Sequence, residues 1–544
     1  MNKQGLLHIL TATIFFGLGG LLAYTFLTPG KLSNASRTQP QRQRPTPTKR
    51  QTPPAVRPKE GKQESPTRSK EQKVTAQKEQ GKKAQVLYTI RSRKGAPLHR
   101  LYRTRWKKKP KYIFLVSIDG FAYSSLWDKR MDLPALRQLA RAGVWGKSQT
   151  VFPSMTWPSH ESIISGTYPR RHGILGNRWQ RHFKIGIVPS IDNVQKLRQV
   201  KTLFDVARAK GDKVASLMWP GTQGSNIYYN LPEVYKEYLA RIYTSRNMKR
   251  LLSRQLQFPL NRLASMLVSE GFHSDTLVSE LTIRLMRLKK RKRPSLFLVH
   301  FLSVDTIQHR YGTSFYPLKW SLEHVDKQLE RIIRACKKQG ILRESAFFVV
   351  SDHGMATTKK ALDMRQILIK AGISKFRSLP TRKIPRERVS SYWNGHAAFI
   401  YIHPPKSKSA PTSLSLKNKI LYTLKQYPDI EKVYQPPEYH KLGLPTSAKD
   451  PGSPSLIALC NIHCYFRMNP RRMYVRDYPN RGMHGYLPNH PKMLVPFVGA
   501  GAGIKQSGLS RTLRNVDVAP TIAHLMGWKW PTPRDGKVLQ DILK

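Results

Sequence analysis

The sequence predicts an α/β fold: a doubly wound, mostly parallel sheet flanked by helices. Three observations lead there. Apolar runs of strand length recur along the chain without the polar alternation of a half-exposed sheet, amphipathic stretches separate them, and three of the runs end on an acidic residue. Open α/β sheets bind their ligands at the carboxyl ends of the strands, so acidic residues gathered at that end are informative about chemistry as well as fold.

The elements follow in order. Residues Leu6 to Leu27 form a nearly uncharged run of about 22 residues, long enough to cross a hydrocarbon core of about 30 Å as a helix, after a tail of residues 1–5. A cleaved signal peptide is the competing reading, but no small-x-small cleavage site is evident. Residues 28–110 read as a linker. From Lys31 to Pro110 there are 24 basic and 4 acidic side chains among Pro, Gln, Thr and Ser, too little apolar surface to fold. Such a stretch is a solvated tether or a strap on anionic lipid or another polyanion.

The remainder, residues 111–544, is expected to be one large domain. Tyr112 to Ile118 is a strand ending in Asp119-Gly120; Leu133 to Ala142 is a helix with Pro134 in its first turn and Gly143 as its stop. Helices are also expected at Thr202 to Ala209 and Leu322 to Lys338, and a basic helical cap or insertion at about 230–292. Ser295 to Val304 ends in Asp305, Ala346 to Ser351 ends in Asp352-His353-Gly354, and Met493 to Val498 ends in glycines.

Composition narrows the function classes. The 95 Lys and Arg against 32 Asp and Glu give a formal charge of +63, so an anionic partner or substrate belongs in the surroundings. No helix-turn-helix, zinc-finger or RNP pattern accompanies that charge. The cysteines are three, Cys336, Cys460 and Cys464, so no disulfide framework carries the fold, and Cys460-Asn461-Ile462-His463-Cys464 reads as structural thiols.

The chemistry-bearing set is Asp119, Asp305 with His309 four residues on, Asp352 beside His353, and His484 in Gly482-Met483-His484-Gly485. Hard oxygens and imidazoles suit divalent ions such as Zn²⁺, Mn²⁺ or Fe²⁺, and six such groups suffice for two ions. Alone, each would read as a helix cap or an ordinary core residue. Thr156, at the start of an apolar helix running to about Ser165, places a hydroxyl where a helix terminus and a metal can lower its pKa.

With those residues on the page, the sequence from about Lys111 onward resembles the nucleotide pyrophosphatase/phosphodiesterase family of the alkaline phosphatase superfamily. Ser117-Ile118-Asp119-Gly120-Phe121 is similar to its first metal motif, and Thr156-Trp157-Pro158-Ser159-His160 to its nucleophile motif. Gly166 to Ile174, Trp219-Pro220-Gly221, Pro232-x-x-Tyr235-x-x-Tyr238, Val304-Asp305-x-x-x-His309, Ser351 to Met355 and Met483-His484-Gly485 follow in the family's order. Trp157 and Ser159 depart from the usual Phe and Asn. Thr156 and His160 separate the chain from sulfatases, whose nucleophile matures from Cys or Ser.

The resemblance implies two divalent ions, taken as Zn²⁺, one held by Asp119, Asp352, His353 and the Thr156 oxygen, the other by Asp305, His309 and His484. It implies a nucleotide pyrophosphatase/phosphodiesterase acting on small phosphodiester or nucleotide substrates through a phosphothreonine intermediate, with Asn177 on a phosphate oxygen. Trp157 and Tyr238 are the candidates for gripping the organic group, while His160 and His172 are expected to order the site rather than bind metal. The alternatives are a phosphomonoesterase, phosphonate hydrolase or phospholipid head-group hydrolase on the same fold, and a membrane-tethered polybasic binding protein without catalysis. An exported catalytic domain, periplasmic or extracellular, is expected, although the basic residues after Leu27 would by the positive-inside rule lie in the cytoplasm.

Overall fold

The computed structural model describes residues 104–544 except 182–184, 188–192, 235, 256–270, 375–387, 406–410, 447–451, 468–473, 476–480, 510 and 532–533. The expected membrane segment at 6–27 and the linker up to residue 103 lie outside the described residues. Among the described residues no helix is long and apolar enough to cross a membrane.

The central sheet is assembled from β1 (Tyr112–Ile118), β2 (Val144–Gln149), β3 (Val214–Leu217), β4 (Tyr229–Leu231), β5 (Leu296–Phe301), β6 (Ser345–Val350), β7 (Val495–Gly501), β8 (Ser507–Gly508) and β9 (Leu513–Arg514). Its spatial order is β8-β2-β7-β6-β1-β5-β3-β4, with β9 also on β2. The strands from β6 to β4 are mutually parallel. The expectation of a parallel strand near Met493 is corrected: β7 runs antiparallel to both β2 and β6, so the sheet is mixed. The physical reason is where the chain stands. After His484 it is already at the carboxyl ends of the parallel strands, and the next strand can only descend.

Continuous apolar strands have the consequence expected of them. Phe114, Val116 and Ile118 of β1 point into one core and Ile113 and Leu115 into the other, all fully buried. Phe114 stacks between Phe297 and Phe347, ring centroids 4.6 and 4.9 Å away. Helices α1 (Pro134–Ala142), α2 (Thr156–Ser165), α3 (Leu203–Ala209), α4 (Phe272–Met286), α5 (Ser303–Tyr311), α6 (Phe315–Lys338) and α7 (Val518–Met526) flank the sheet. Residues of α1, α4 and α6 fill the first core; α2, α3 and α7 fill the second.

The local signals act as chemistry requires. Pro134 opens α1 where its missing N–H costs nothing, and Thr202 with Asp205 forms a reciprocal capping box on α3. The segment expected as a helical insertion starts in β4, an edge strand of the sheet, and its last helix, α4, packs on β5 and α6 as part of the core rather than as a detached cap. Backbone bonds also begin before residue 111, since the Lys107 N–H donates to the Arg343 carbonyl at 2.8 Å.

A second, antiparallel sheet has no counterpart in the expectations. It orders Val389–Asn394, Ala397–Ile402, Leu456–Cys460 and Ile430–Tyr434. Its turn at Asn394-Gly395 abuts the backbone at His484: the His396 N–H donates to the His484 carbonyl at 3.2 Å. Gly395 has φ +63°, and a Cβ there would fall 1.8 Å from the His484 carbonyl oxygen, so only glycine allows this approach.

Candidate active site

Parallel strands β1, β5 and β6 deliver their carboxyl ends to one edge, and so bring Asp119, the α5 pair Asp305 and His309, and Asp352-His353 together from distant parts of the chain. Thr156 is the first residue of α2, and its Oγ1 lies 3.3 Å from His353 Nε2. Around that same nitrogen, Asp352 Oδ2 stands at 3.1 Å and Asp119 Oδ1 at 3.3 Å. Beside it, His309 Nε2 is 3.3 Å from Asp305 Oδ2 and 3.2 Å from His484 Nε2, and His484 Nε2 is 3.8 Å from Asp305 Oδ1. The His353 and His484 rings stack at 3.5 Å, so the two sets share a wall.

These donors fit divalent cations on three counts. A tetrahedral site with metal–ligand bonds of about 2.0 Å needs donors about 3.3 Å apart, which is the spacing seen in both sets. His309, His353 and His484 each place Nδ1 2.8 to 3.0 Å from a backbone carbonyl, of Gly482, Gly354 and Ser154. Carbonyls only accept, so each Nδ1 carries the proton and each Nε2 turns a lone pair inward. Two lone pairs facing each other at 3.2 Å, on His309 and His484, repel unless a metal ion or a proton lies between them. Finally, Asp119 Oδ1, Asp305 Oδ1 and Asp352 Oδ2 are buried without a hydrogen-bond partner. Burial, then the charges of Asp352, Asp305 and Glu233, push the Asp119 pKa well up, the mark of anions crowded without counter-charge. Burial, then His353 and His309, holds His484 well below the usual histidine range, hence neutral and able to bind metal.

Groups behind the ligands fix their orientation. His300 Nε2 sits 3.1 Å from Asp119 Oδ2, which leaves Oδ1 to face the site. His160 donates from Nδ1 to the Thr156 carbonyl at 2.8 Å, and Ser162 lies 2.9 Å from His172 Nε2; both histidines therefore brace α2. Asp275 of α4 accepts the Leu302 and Ser303 N–H groups at 2.7 and 3.3 Å and so holds the start of α5, which carries Asp305 and His309.

The strongest brace is ionic. Glu161 on α2 takes both arms of the Arg198 guanidinium at 2.6 and 2.9 Å, and Arg198 also reaches the Gly221 carbonyl at 2.5 Å. Both side chains are 1% exposed. Arg198→Ala leaves a buried carboxylate without its cation and is expected to cost about 3–5 kcal/mol in a denaturant titration, while Arg198→Met paired with Glu161→Leu costs less. A loss below about 1 kcal/mol for the single variant would show that water compensates the pair.

Residues 113–487 match the family described as type I phosphodiesterase / nucleotide pyrophosphatase. The chain belongs to this family. Ectonucleotide pyrophosphatase/phosphodiesterase family member 1 of Homo sapiens is 23% identical over 436 residues, 78% of this chain and 40% of that protein. A venom phosphodiesterase of Crotalus durissus collilineatus is 23% identical over 443 residues, covering 78% of this chain and 45% of the relative. The match thus spans less than half the length of these relatives. Among solved structures, murine ectonucleotide pyrophosphatase/phosphodiesterase 5 superposes with a TM-score of 0.58 at 18% identity, over 80% of this chain and all of that one. The fold is the same.

In this phosphodiesterase-family chain the site opens into a cavity of about 550 Å³ lined by Asp119, Thr156, Asn177, Asp305, His309 and His484, among others. Asn177 Oδ1 accepts the Trp157 N–H at 3.1 Å, which leaves Nδ2 as the donor available to the cavity. Trp157 also lines the cavity, yet at 5% exposure most of its ring packs with Phe152, Ile174 and Trp179. Tyr238 is not brought there. It is 50% exposed on the helix Glu237–Tyr243, with Lys236 Nζ 5.9 Å over its ring, and it is not among the residues of the cavity wall. Tyr235 lies outside the described residues.

The cavity holds groups that the sequence reading did not single out: Glu233, Arg178, Trp393, Tyr465, Phe466 and Arg467. The Arg178 guanidinium lies 4.0 Å over the Trp393 ring, a flat cationic surface at the mouth. Arg178 follows Asn177 directly and was within reach of the motif. Trp393, Tyr465 and Phe466 come from the unanticipated second sheet and its neighbour, and nothing in their spacing points to the site.

Proposed function

We propose that the chain is a metal-dependent phosphodiesterase/nucleotide pyrophosphatase that hydrolyses phosphodiester or pyrophosphate bonds through Thr156. The observation that carries this reading is the Thr156 hydroxyl at 3.3 Å from His353 Nε2, inside a cavity that also holds Asn177 and the second ligand set. Asp119, Asp352, His353 and Thr156 would hold one ion and Asp305, His309 and His484 the other, with Zn²⁺ favoured by the nitrogen and oxygen donors. Bound divalent ions lower the pKa of a coordinated hydroxyl and offset the charge of the phosphoryl oxygens.

The chain's own residues do the rest. The Thr156 oxygen, having lost its proton, bonds to phosphorus as the opposite P–O bond breaks, and the leaving alcohol or phosphate carries off that electron pair. Asn177 Nδ2 donates to a free phosphoryl oxygen where negative charge grows. Water then attacks the phosphothreonine from the vacated side, releasing the monoester and restoring the hydroxyl. An inactive variant of murine ectonucleotide pyrophosphatase/phosphodiesterase 5 has been solved in complex with AMP, which supports a nucleoside monophosphate as the product retained.

The test is a substrate panel. Bis-p-nitrophenyl phosphate and the p-nitrophenyl ester of thymidine monophosphate should turn over well above p-nitrophenyl phosphate. Monoester turnover exceeding diester turnover would shift the assignment to a phosphatase, and no turnover of any of them by zinc-loaded protein would end it. The same reading carries an exported domain tethered by Leu6 to Leu27, which a topology reporter fused after Gly30 tests.

A further inference from the structure

The end of the sheet opposite the active site carries a concentration of positive charge that catalysis does not use. Because β1, β3, β5 and β6 are parallel, the loops that feed them lie side by side at their amino ends. Backbone bonds tie these loops into a row: Ser295 N–H to the Lys213 carbonyl at 2.9 Å, Ile113 N–H to Ser295 at 2.7 Å and Lys111 N–H to Glu344 at 2.7 Å.

Each loop is basic. Lys107, Lys108, Lys109 and Lys111 precede β1, Lys210 and Lys213 precede β3, and the run Lys289-Lys290-Arg291-Lys292-Arg293 precedes β5. Among the described residues no ion pair engages Lys210, Lys213 or any residue from Lys289 to Lys292. Glu344 is paired with Lys107 and Lys111, whereas Asp212 accepts the neutral Trp528 indole N–H at 2.8 Å and so still offsets one of the remaining cations. Between the loops lies an open cavity of about 510 Å³ walled by four cations, Lys213, Lys290, Arg291 and Arg293, and by one acid, Asp212. Mutual repulsion among uncompensated cations is a cost, and an anionic counter-surface removes it.

We infer that this face docks on an anionic phospholipid bilayer, with a phosphate head group entering the Lys213, Lys290, Arg291 and Arg293 cavity. A bilayer is favoured over a nucleic acid by continuity. The chain enters the domain on this face, directly after a stretch with 24 basic residues, and the same chain carries the apolar run Leu6 to Leu27 further upstream. The geometry is also suited to a membrane-bound hydrolase. Strands of six or seven residues set the catalytic cavity roughly 20 Å from the docking face, at the other end of the sheet. Docking would leave access to the site untouched, and the inference does not depend on which phosphoester is cleaved.

The test exploits the burial of all three native thiols, which leaves an introduced cysteine as the reactive one. The full chain bearing Arg291→Cys, or Tyr316→Cys on the active-site side where Tyr316 is 65% exposed, is labelled with a nitroxide and reconstituted in nanodiscs. Discs of phosphatidylcholine alone are compared with discs containing phosphatidylserine.

The expected result is a severalfold loss of collision with a water-soluble nickel reagent at Arg291 only, only with phosphatidylserine, and reversed by high salt. The Lys289→Glu, Lys290→Glu, Lys292→Glu triple variant should lose that protection, since each cation removed weakens partitioning roughly fivefold, while diester turnover is unchanged. Three outcomes overturn the inference: full accessibility at Arg291 on phosphatidylserine discs, equal shielding at Tyr316, or shielding by an RNA oligomer and not by lipid. If the triple variant fails to fold, the comparison of the two labelled positions still decides.

Discussion

Thr156→Ala is expected to lower diester turnover by at least about 10³-fold while leaving the protein folded, because Thr156 is the proposed nucleophile and removing a nucleophile that the rest of a site serves disables the whole unit. The fold survives for a local reason. The preceding residue, Met155, occupies the helix cap, and no side-chain cap bond is made there, so α2 does not depend on the threonine hydroxyl. The hydroxyl's hydrogen-bond partner is His353 Nε2, itself a proposed ligand atom. Thermal unfolding of the variant should therefore stay within about 1 kcal/mol of the parent. Thr156→Ser, which keeps an oxygen in place, should retain part of the activity. A Thr156→Ala protein with turnover within tenfold of the parent would mean that water, activated elsewhere, attacks phosphorus directly.

Chelation should cost both activity and stability. Three carboxylate oxygens buried without partners, and two imidazole lone pairs face to face, form a site that is unfavourable without cations. Metal that binds only the folded state adds about 4 kcal/mol at a thousandfold excess over Kd, which for a domain of this size is a few degrees in Tm. Dialysis against a strong chelator should therefore lower Tm and abolish turnover together, and Zn²⁺ should restore both. Asp352→Asn, which removes the charge with little change of shape, should shrink the Zn²⁺-dependent rise in Tm. If chelator leaves Tm and turnover unchanged, the cluster is satisfied by protons and the reaction does not need a metal.

Legibility differed among the parts for physical reasons. A strand covered on both faces must be apolar at every position, and so Tyr112–Ile118 could be delimited from its composition alone. Helix punctuation by Pro134, Gly143 and Thr202 was equally plain. The second sheet was missed although Val389–Asn394 and Ala397–Ile402 form a local hairpin across Gly395-His396; its other pairs, of Leu456–Cys460 with Ala397–Ile402 and with Ile430–Tyr434, are between segments farther apart in the chain. The direction of β7 was also hidden, since an apolar run reads the same in either sense.

The candidate metal ligands were legible because Asp-His adjacency and Asp-x-x-x-His carry spacing constraints that ordinary capping does not impose. Tyr238 illustrates the converse: it belongs to a motif-like stretch, and yet the helix Glu237–Tyr243 turns it to solvent. The cavity's further aromatic residues, Trp393, Tyr465 and Phe466, have no local pattern, and only packing of the second sheet against the first brings them in.

The sequence by itself determined which residues could bind cations and which hydroxyl could attack, because those properties belong to side-chain chemistry and to short-range spacing. Tertiary structure decided the rest: that His309 and His484, 175 positions apart, oppose their Nε2 atoms at 3.2 Å, that Asp119 turns Oδ1 inward, and that basic loops collect at the far end of the sheet. Those outcomes depend on strand order and direction. Long-range pairing sets both, and no local stretch of residues encodes them.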